Sequence, residues 1–193
     1  AKGEVPQLGN LVFRFSKSLA KDSMLNVWDS TEYISFEPKI PGRFRWESPD
    51  QLVFSPAQFL QPATNYKAKL SSEILRHTKY DKIEGADNIV FNTPALALEN
   101  MQVIWTMPDE GTRSVVPQLD LLFNYKVNPA RLKDKLNVEV DGNKTSFDQQ
   151  TVTPDTKISF RLASFKPEDR NYETKIFIDK GLIPEGGSNS MTE

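Results

Sequence analysis

The feature that most constrains this chain is that it repeats itself. Pro6-Gln7-Leu8 returns as Pro117-Gln118-Leu119, 111 positions on. Phe13-Arg14-Phe15 returns as Phe123-Asn124-Tyr125 at an offset of 110, and Leu25-Asn26-Val27 as Leu136-Asn137-Val138 at 111. Leu52-Val53-Phe54 then matches Ile158-Ser159-Phe160 at 106, and Ala57, Phe59, Asn65 and Tyr66 keep that offset onto Ala163, Phe165, Asn171 and Tyr172. The order is preserved, and the shortening falls between Val138 and Ile158, in a loop-like stretch. An ordered internal repeat makes each copy one structural unit. The 193 residues then divide into two modules, 1–95 and 96–193. They join near Asn92-Thr93-Pro94-Ala95-Leu96, where Pro94 holds Thr93 extended.

Each copy reads as strands. Leu11 to Phe15 is a short apolar and aromatic run, and Leu121 to Val127 is its partner. Thr31 to Phe36 carries Tyr33, Ile34 and Phe36, which suit a pleated surface. Gly42-Arg43-Phe44-Arg45-Trp46 puts Phe44 on one face and Arg43 and Arg45 on the other. Ser48-Pro49-Asp50 is a turn, and Gln51 to Ser55 is the returning strand. In the second copy Leu136 to Val140 meets Asp141-Gly142, a hairpin turn pair, and Thr145 to Phe147 starts the return. Asn65 to Leu70 and Asn171 to Ile178 alternate as long strands. Helical signals are confined to a turn or two at Ser71 to His77 and Ala130 to Lys135. An α/β fold needs amphipathic helices of ten or more residues between strands, and none is present. The 13 prolines suit strand edges and turns. The expected fold is all-β: two tandem immunoglobulin-like antiparallel β-sandwiches.

The phase of the repeat implies more. The strand Met101 to Thr106 precedes the Pro117 anchor, and its equivalent in copy one falls before residue 1. Copy one ends with Asn88 to Asn92; the equivalent in copy two falls at about position 197, by the repeat. Copy two is therefore expected to lack its last strand, or to have that edge closed by a neighbouring segment. The chain reads as a slice of a longer protein.

Little in the chain points to chemistry. There is no Cys, so disulfides, thiol nucleophiles and thiolate metal sites are excluded. The net charge is −2 with both signs interspersed, so no basic stripe marks a nucleic-acid partner. No apolar run reaches the length of a membrane span. His77 stands alone, without a nucleophile elbow or a second His, and reads as a loop residue. The carboxylate neighbours Asp109-Glu110, Glu168-Asp169 and Asp179 near Glu185 read as turn and solubility residues. Glycosidase chemistry needs two carboxyls at a set separation, flanked by aromatics. Gly186-Gly187 reads as a flexible turn. Trp28, Trp46 and Trp105 are a conceivable ligand platform, with core and junction packing the stronger reading. Arg43 and Arg45 are expected to face solvent. Tyr66 and Tyr172 are candidate tyrosine corners. Asn143-Lys144-Thr145 fits the glycosylation acceptor pattern. No catalytic, cofactor-binding or metal-ligating residue is assigned, and no cofactor is expected.

Several stretches resemble a bacterial Ig-like module: Val12-Phe13-Arg14-Phe15-Ser16, Gly42-Arg43-Phe44-Arg45-Trp46, Leu52-Val53-Phe54-Ser55-Pro56 and Leu60-Gln61-Pro62-Ala63-Thr64-Asn65-Tyr66. Met107-Pro108-Asp109-Glu110-Gly111 resembles the opening of the same module. With the tandem arrangement and Lys180-Gly181-Leu182-Ile183-Pro184, they resemble the N-terminal macroglobulin-like domains of bacterial alpha-2-macroglobulins. The resemblance implies a macroglobulin-like sandwich pair in a protease inhibitor of the cell envelope, periplasmic or an outer-membrane lipoprotein. Its implied partners are neighbouring domains of the same longer chain and, through the full-length protein, proteases. The family's Cys-x-x-Gln thioester cannot form in a chain without Cys, and no bait segment is recognisable. The alternative is an Ig-like stalk or glycan-binding segment of a surface adhesin or secreted enzyme.

Overall fold

Alternation of side chains along Gly42–Ser48 and the strands beside it decides how the first half folds. The computed structural model describes residues 3–85, 89–107, 115–163, 168 and 170–191. The polypeptide divides into two units, Ala1–Pro94 and Ala95–Glu193. The first contains β1 (Gly3–Glu4), β2 (Leu11–Arg14), β3 (Trp28–Asp29), β4 (Ile34–Glu37), β5 (Gly42–Ser48), β6 (Gln51–Pro56), β7 (Asn65–Leu70) and β8 (Ile89–Asn92). They form two sheets in the orders β1-β8-β7-β4 and β2-β6-β5-β3. All pairings are antiparallel except β1 with β8. Phe44 and Trp46 of β5 turn inward, and Arg43 and Glu47 stay exposed. Between the sheets the core is aromatic. Phe36 and Phe44 each lie 4.7 Å from Phe54, and Tyr33 meets Trp46 edge-on at 5.9 Å. Such offset and edge-on pairs add to the plain benefit of burial.

The second unit contains β9 (Leu98–Thr106), β10 (Val116–Val127), α1 (Pro129–Lys133), β11 (Leu136–Val140), β12 (Asn143–Lys144), β13 (Phe147–Gln149), β14 (Asp155–Leu162) and β15 (Thr174–Ile178). Its sheets run β13-β14-β10-β9 and β12-β11-β15. Leu119, Leu121 and Phe123 of β10 and Ile158 and Phe160 of β14 are all but fully buried. This core is mainly aliphatic. The short helix α1 follows from its cap: Asn128 Oδ1 accepts the N–H groups of Ala130 and Arg131, and Pro129 opens the first turn, where its missing N–H costs nothing. Asp141 and Gly142 both hold positive φ, 50° and 76°, the geometry of a two-residue hairpin. That hairpin joins β11 to β12 through the Val140–Asn143 pair. The return along β11 is only two residues long. Phe147 then leaves for the other sheet and pairs with Leu162, so the expected return at Thr145 to Phe147 crosses between sheets.

Strand pairing revises the repeat. Leu11 pairs with Phe54 and Phe13 with Leu52, while Leu119 pairs with Phe160 and Leu121 with Ile158. Phe13 therefore corresponds to Leu121, two residues short of its sequence match Phe123. A slip of two keeps every side chain on the same face, so the apolar pattern cannot detect it. The Leu25–Leu136 match fails outright. Leu25 bridges to Trp46, whereas Leu136 opens β11, which lies beside β15 as β4 lies beside β7. Asn171 to Glu173 were expected in strand, but β15 begins at Thr174.

Gly42 is the tightest approach in the first unit: a Cβ there would collide with the Phe54 ring and the Ser55 carbonyl oxygen. Gly42→Ala is expected to destabilise the first unit by about 1–3 kcal/mol through overpacking. Amide hydrogen exchange should show the loss confined to residues 3–94, with the second unit unchanged.

Candidate functional site

The outer face of the β2-β6-β5-β3 sheet carries the strongest grouping of binding-type side chains. Since Phe44 and Trp46 go inward, Arg43, Arg45 and Glu47 project outward. Trp28 of β3 pairs with Arg45 of β5. The Arg45 guanidinium lies 4.7 Å from the Trp28 ring centroid, a cation–π contact. Arg45 Nη2 also donates to Glu47 Oε1 at 2.6 Å, and Gln51 Nε2 donates to Glu47 Oε2 at 2.7 Å. Arg45 Nε is buried and makes no hydrogen bond. Under this layer Val53, paired with both Arg45 and Val12, is 2% exposed. Trp28 remains 42% exposed and, with Gly42, Arg43, Ser55, Pro56 and Ala57, bounds a shallow depression of about 360 Å³. An exposed indole can stack on an apolar or sugar face, and the exposed Arg43 on the same depression can attract an anion. The depression offers no acid–base pair.

Trp28 is positioned by the turn that follows it. Asp29 Oδ1 accepts the Thr31 N–H at 2.7 Å and the Thr31 hydroxyl at 2.8 Å, and Asp29 Oδ2 accepts the Tyr33 hydroxyl at 2.7 Å. Burial pushes the Asp29 carboxyl up, but the donors from Thr31 and Tyr33 outweigh it and hold it below the usual value. Burial, aided by Asp29, pushes the Tyr33 phenol up to about 12. These are the marks of a locked turn.

A second polar cluster escaped the sequence reading. Asp120, in Leu119-Asp120-Leu121, alternates like any outward strand residue, yet it is 3% exposed. Its carboxylate accepts from Lys157 Nζ at 2.8 Å, Ser159 Oγ at 2.7 Å, Gln118 Nε2 at 2.8 Å and Gln102 Nε2 at 3.4 Å. Burial raises the Asp120 pKa, and Lys157, Ser159 and the two glutamines more than reverse that. The cluster ties β9, β10 and β14 together across one sheet face. Its signal in sequence was Gln and Lys at outward positions of three strands, visible only once the strands are paired.

The other sequence candidates scatter. Trp46 is in the core, and Trp105 on β9 is 40% exposed, edge-on to Tyr172 at 6.4 Å. His77 is exposed just past the Ser72–Leu75 turn. Glu168 pairs with Arg170 at 2.8 Å, and Arg170 pairs with Asp141 at 2.6 Å. Asp179 and Glu185 are exposed, and Asp109, Glu110 and Asp169 lie outside the described residues. Among the described residues, no three His, Asp or Glu side chains gather as a metal site would need. Asn143 and Lys144 are exposed. Gly186 sits at φ 74° in a turn that the Gly187 N–H closes onto Pro184. Tyr66 forms the tyrosine corner, its hydroxyl accepting the Gln61 N–H at 2.8 Å. Tyr172 lies under the Arg170 guanidinium at 4.1 Å.

Compared with known proteins, the chain matches no protein-family model and no curated protein.

The depressed Asp120 pKa fixes a sign. Its ion pair stabilises the second unit above the ordinary carboxyl range and is lost as the pH falls through the lower, folded pKa. Urea titrations between pH 7 and pH 2 should show the second unit weakening below about pH 4, and Asp120→Asn should flatten that dependence. At pH 7, Asp120→Asn is expected to cost about 1–3 kcal/mol. In the first unit, Tyr66→Phe is expected to cost about 1–2 kcal/mol by stranding the Gln61 N–H, read by the same titration.

Proposed function

We propose that the chain is a non-catalytic framework pair from an envelope protein of the bacterial alpha-2-macroglobulin kind, a protease inhibitor whose working chemistry lies in other domains. One observation carries the reading. The residues behind the family resemblance are those on which the first sandwich is built. Phe44, Trp46, Leu52, Phe54, Leu60 and Tyr66 are each no more than 3% exposed, and Gly42 admits no side chain. A motif spent on core and corner positions marks a module that holds shape. The thioester of the family belongs elsewhere, since this chain has no Cys.

Trp28 and Arg43 favour a second reading, a module that binds glycans through the outer face of the β2-β6-β5-β3 sheet. Exposed aromatics on rigid sheets are suited to sugar rings, and Arg43 to acidic groups on them.

The two readings separate in a protease assay. The complete gene product is expected to block cleavage of a large protein substrate while a small chromogenic peptide is still cut, because a trapped protease keeps its active site. Residues 1–193 alone are expected to inhibit neither. Inhibition by the isolated chain, or none by the complete product, overturns the framework reading. Binding of acidic oligosaccharides by the isolated chain, abolished in Trp28→Ala with the fold intact, establishes the glycan reading in its place.

A further inference from the structure

We infer that the free edge of β15 is the seat of one more strand, the counterpart of β8, supplied by a further stretch of the same polypeptide. The inference rests on the comparison of the two units and not on the biological role proposed above.

In the first unit β7 is paired on both sides. β4 covers Lys67 to Leu70, and β8 covers Asn65 to Ala68. Asn65 and Tyr66 pair with β8 alone, through Asn92 and Phe91. In the second unit Asn171 and Tyr172 stand at the matching positions. They lie outside β15, which starts at Thr174, where Val140 of β11 supplies a partner. The strand thus stops at the point where its counterpart depends on β8. Among the described residues, none pairs with the other edge of β15.

The side chains around that edge tell the same story. Leu121 and Pro117 of β10 lie on the core side, and their partners on β9 are Met101 and Trp105. Those two are 37% and 40% exposed, although they share a face with Leu119 and Leu121, which have none of their surface exposed. Ile176 and Ile178 of β15 sit opposite the buried Val138 and Leu136 and are themselves only half-buried. In the first unit Tyr66 and Ala68, beside β8, are each 2% exposed. An apolar groove therefore runs between β9 and β15, with Trp105 and Tyr172 meeting at one end.

The backbone is aligned for the same guest. Asp141 N–H bonds the Glu173 carbonyl, and Asp179 N–H bonds the Lys135 carbonyl. Odd-numbered residues thus face β11. By the alternation of an antiparallel ladder, the polar groups of Thr174 and Ile176 point to the open side. The groove calls for a short extended segment antiparallel to β15, without Pro and with apolar residues at alternate positions. Ile89-Val90-Phe91-Asn92 has that form: Phe91 is 2% exposed and stacks on Tyr66 at 5.2 Å, while Val90 is 53% exposed. A guest aromatic in Phe91's place would stand beside Tyr172 and Trp105. Addition of a strand to an exposed edge combines ladder bonds with pockets for alternate side chains.

The test compares three forms. One is the 193-residue chain. The second is extended past Glu193 by as many native residues as run from β7 through β8. The third carries a Gly/Ser tail of equal length. The native extension is expected to slow amide exchange at Thr174 and Ile176 by at least about tenfold, to shift the Trp105 indole N–H resonance, and to leave the protein monomeric. A fourth form, whose Gly/Ser tail ends in the sequence of β8, is expected to do the same. Replacing the Phe of that tail by Asp is expected to abolish the effect. Any of four results overturns the inference: a reading frame that stops at Glu193, unchanged exchange with the native extension, equal protection by the plain Gly/Ser tail, or protection that appears in the unextended chain only as it dimerises.

Discussion

A β-sandwich stands on two coupled requirements: one face of every strand must leave water, and both edges of every inner strand must find a partner. In the first unit both are met around β7. Tyr66 stacks on Phe91 of β8 while its hydroxyl takes the Gln61 N–H. The aromatic side chain closes the core and the hydroxyl closes the turn that leads into it. Around this sit Phe36, Phe44 and Phe54, in a cluster dense enough that Gly42 has room for no side chain. Burial of each such ring contributes about 1.5–3 kcal/mol, so a small domain can be held by few of them.

The second unit meets the first requirement by different means. Its core is built on Leu119, Leu121, Ile158 and Leu132, with Phe123 and Phe160 as its buried phenyl rings. One sheet face is further fastened by Asp120, which draws Gln102, Ser159 and Lys157 from both neighbouring strands. A buried carboxylate is costly unless it is paired and hydrogen-bonded, and here each oxygen is satisfied. The second requirement is met less completely: among the described residues β15 pairs with β11 alone, and Ile176 and Ile178 stay only half-buried.

The polar chemistry of both units serves the frame. Asp29 locks the turn that carries Trp28, Asn128 starts α1, Asp141 caps a hairpin and holds Arg170, and Asp120 joins three strands. A surface that departs from this pattern is the outer face of the β2-β6-β5-β3 sheet, where Trp28 and Arg43 are left in solvent beside a half-buried Arg45. It exists because β5 must send Phe44 and Trp46 inward, and so must send its arginines out.

How much of this was legible in the sequence follows from what a one-dimensional pattern can hold. Alternation at Gly42 to Trp46, the Asp141-Gly142 turn and the Asn65-Tyr66 corner are local, and local sterics decide them, so they read directly. The all-β class and the repeat followed from the same local signals. Register did not, because a slip of two residues leaves the apolar pattern intact; Phe13 could be matched to Phe123 or to Leu121 with equal hydrophobic sense. Nor did the failed Leu25 match, since three residues of similar type carry no record of which sheet they join. The Asp120 cluster and the Trp28–Arg45 stack join residues from separate strands, and their meeting depends on pairing across the sheet. The sequence by itself determined which residues must be buried and where the chain turns. Only the tertiary structure decided which strands are neighbours and in what register, because a neighbour is set by long-range hydrogen bonding between segments that carry no mark of one another.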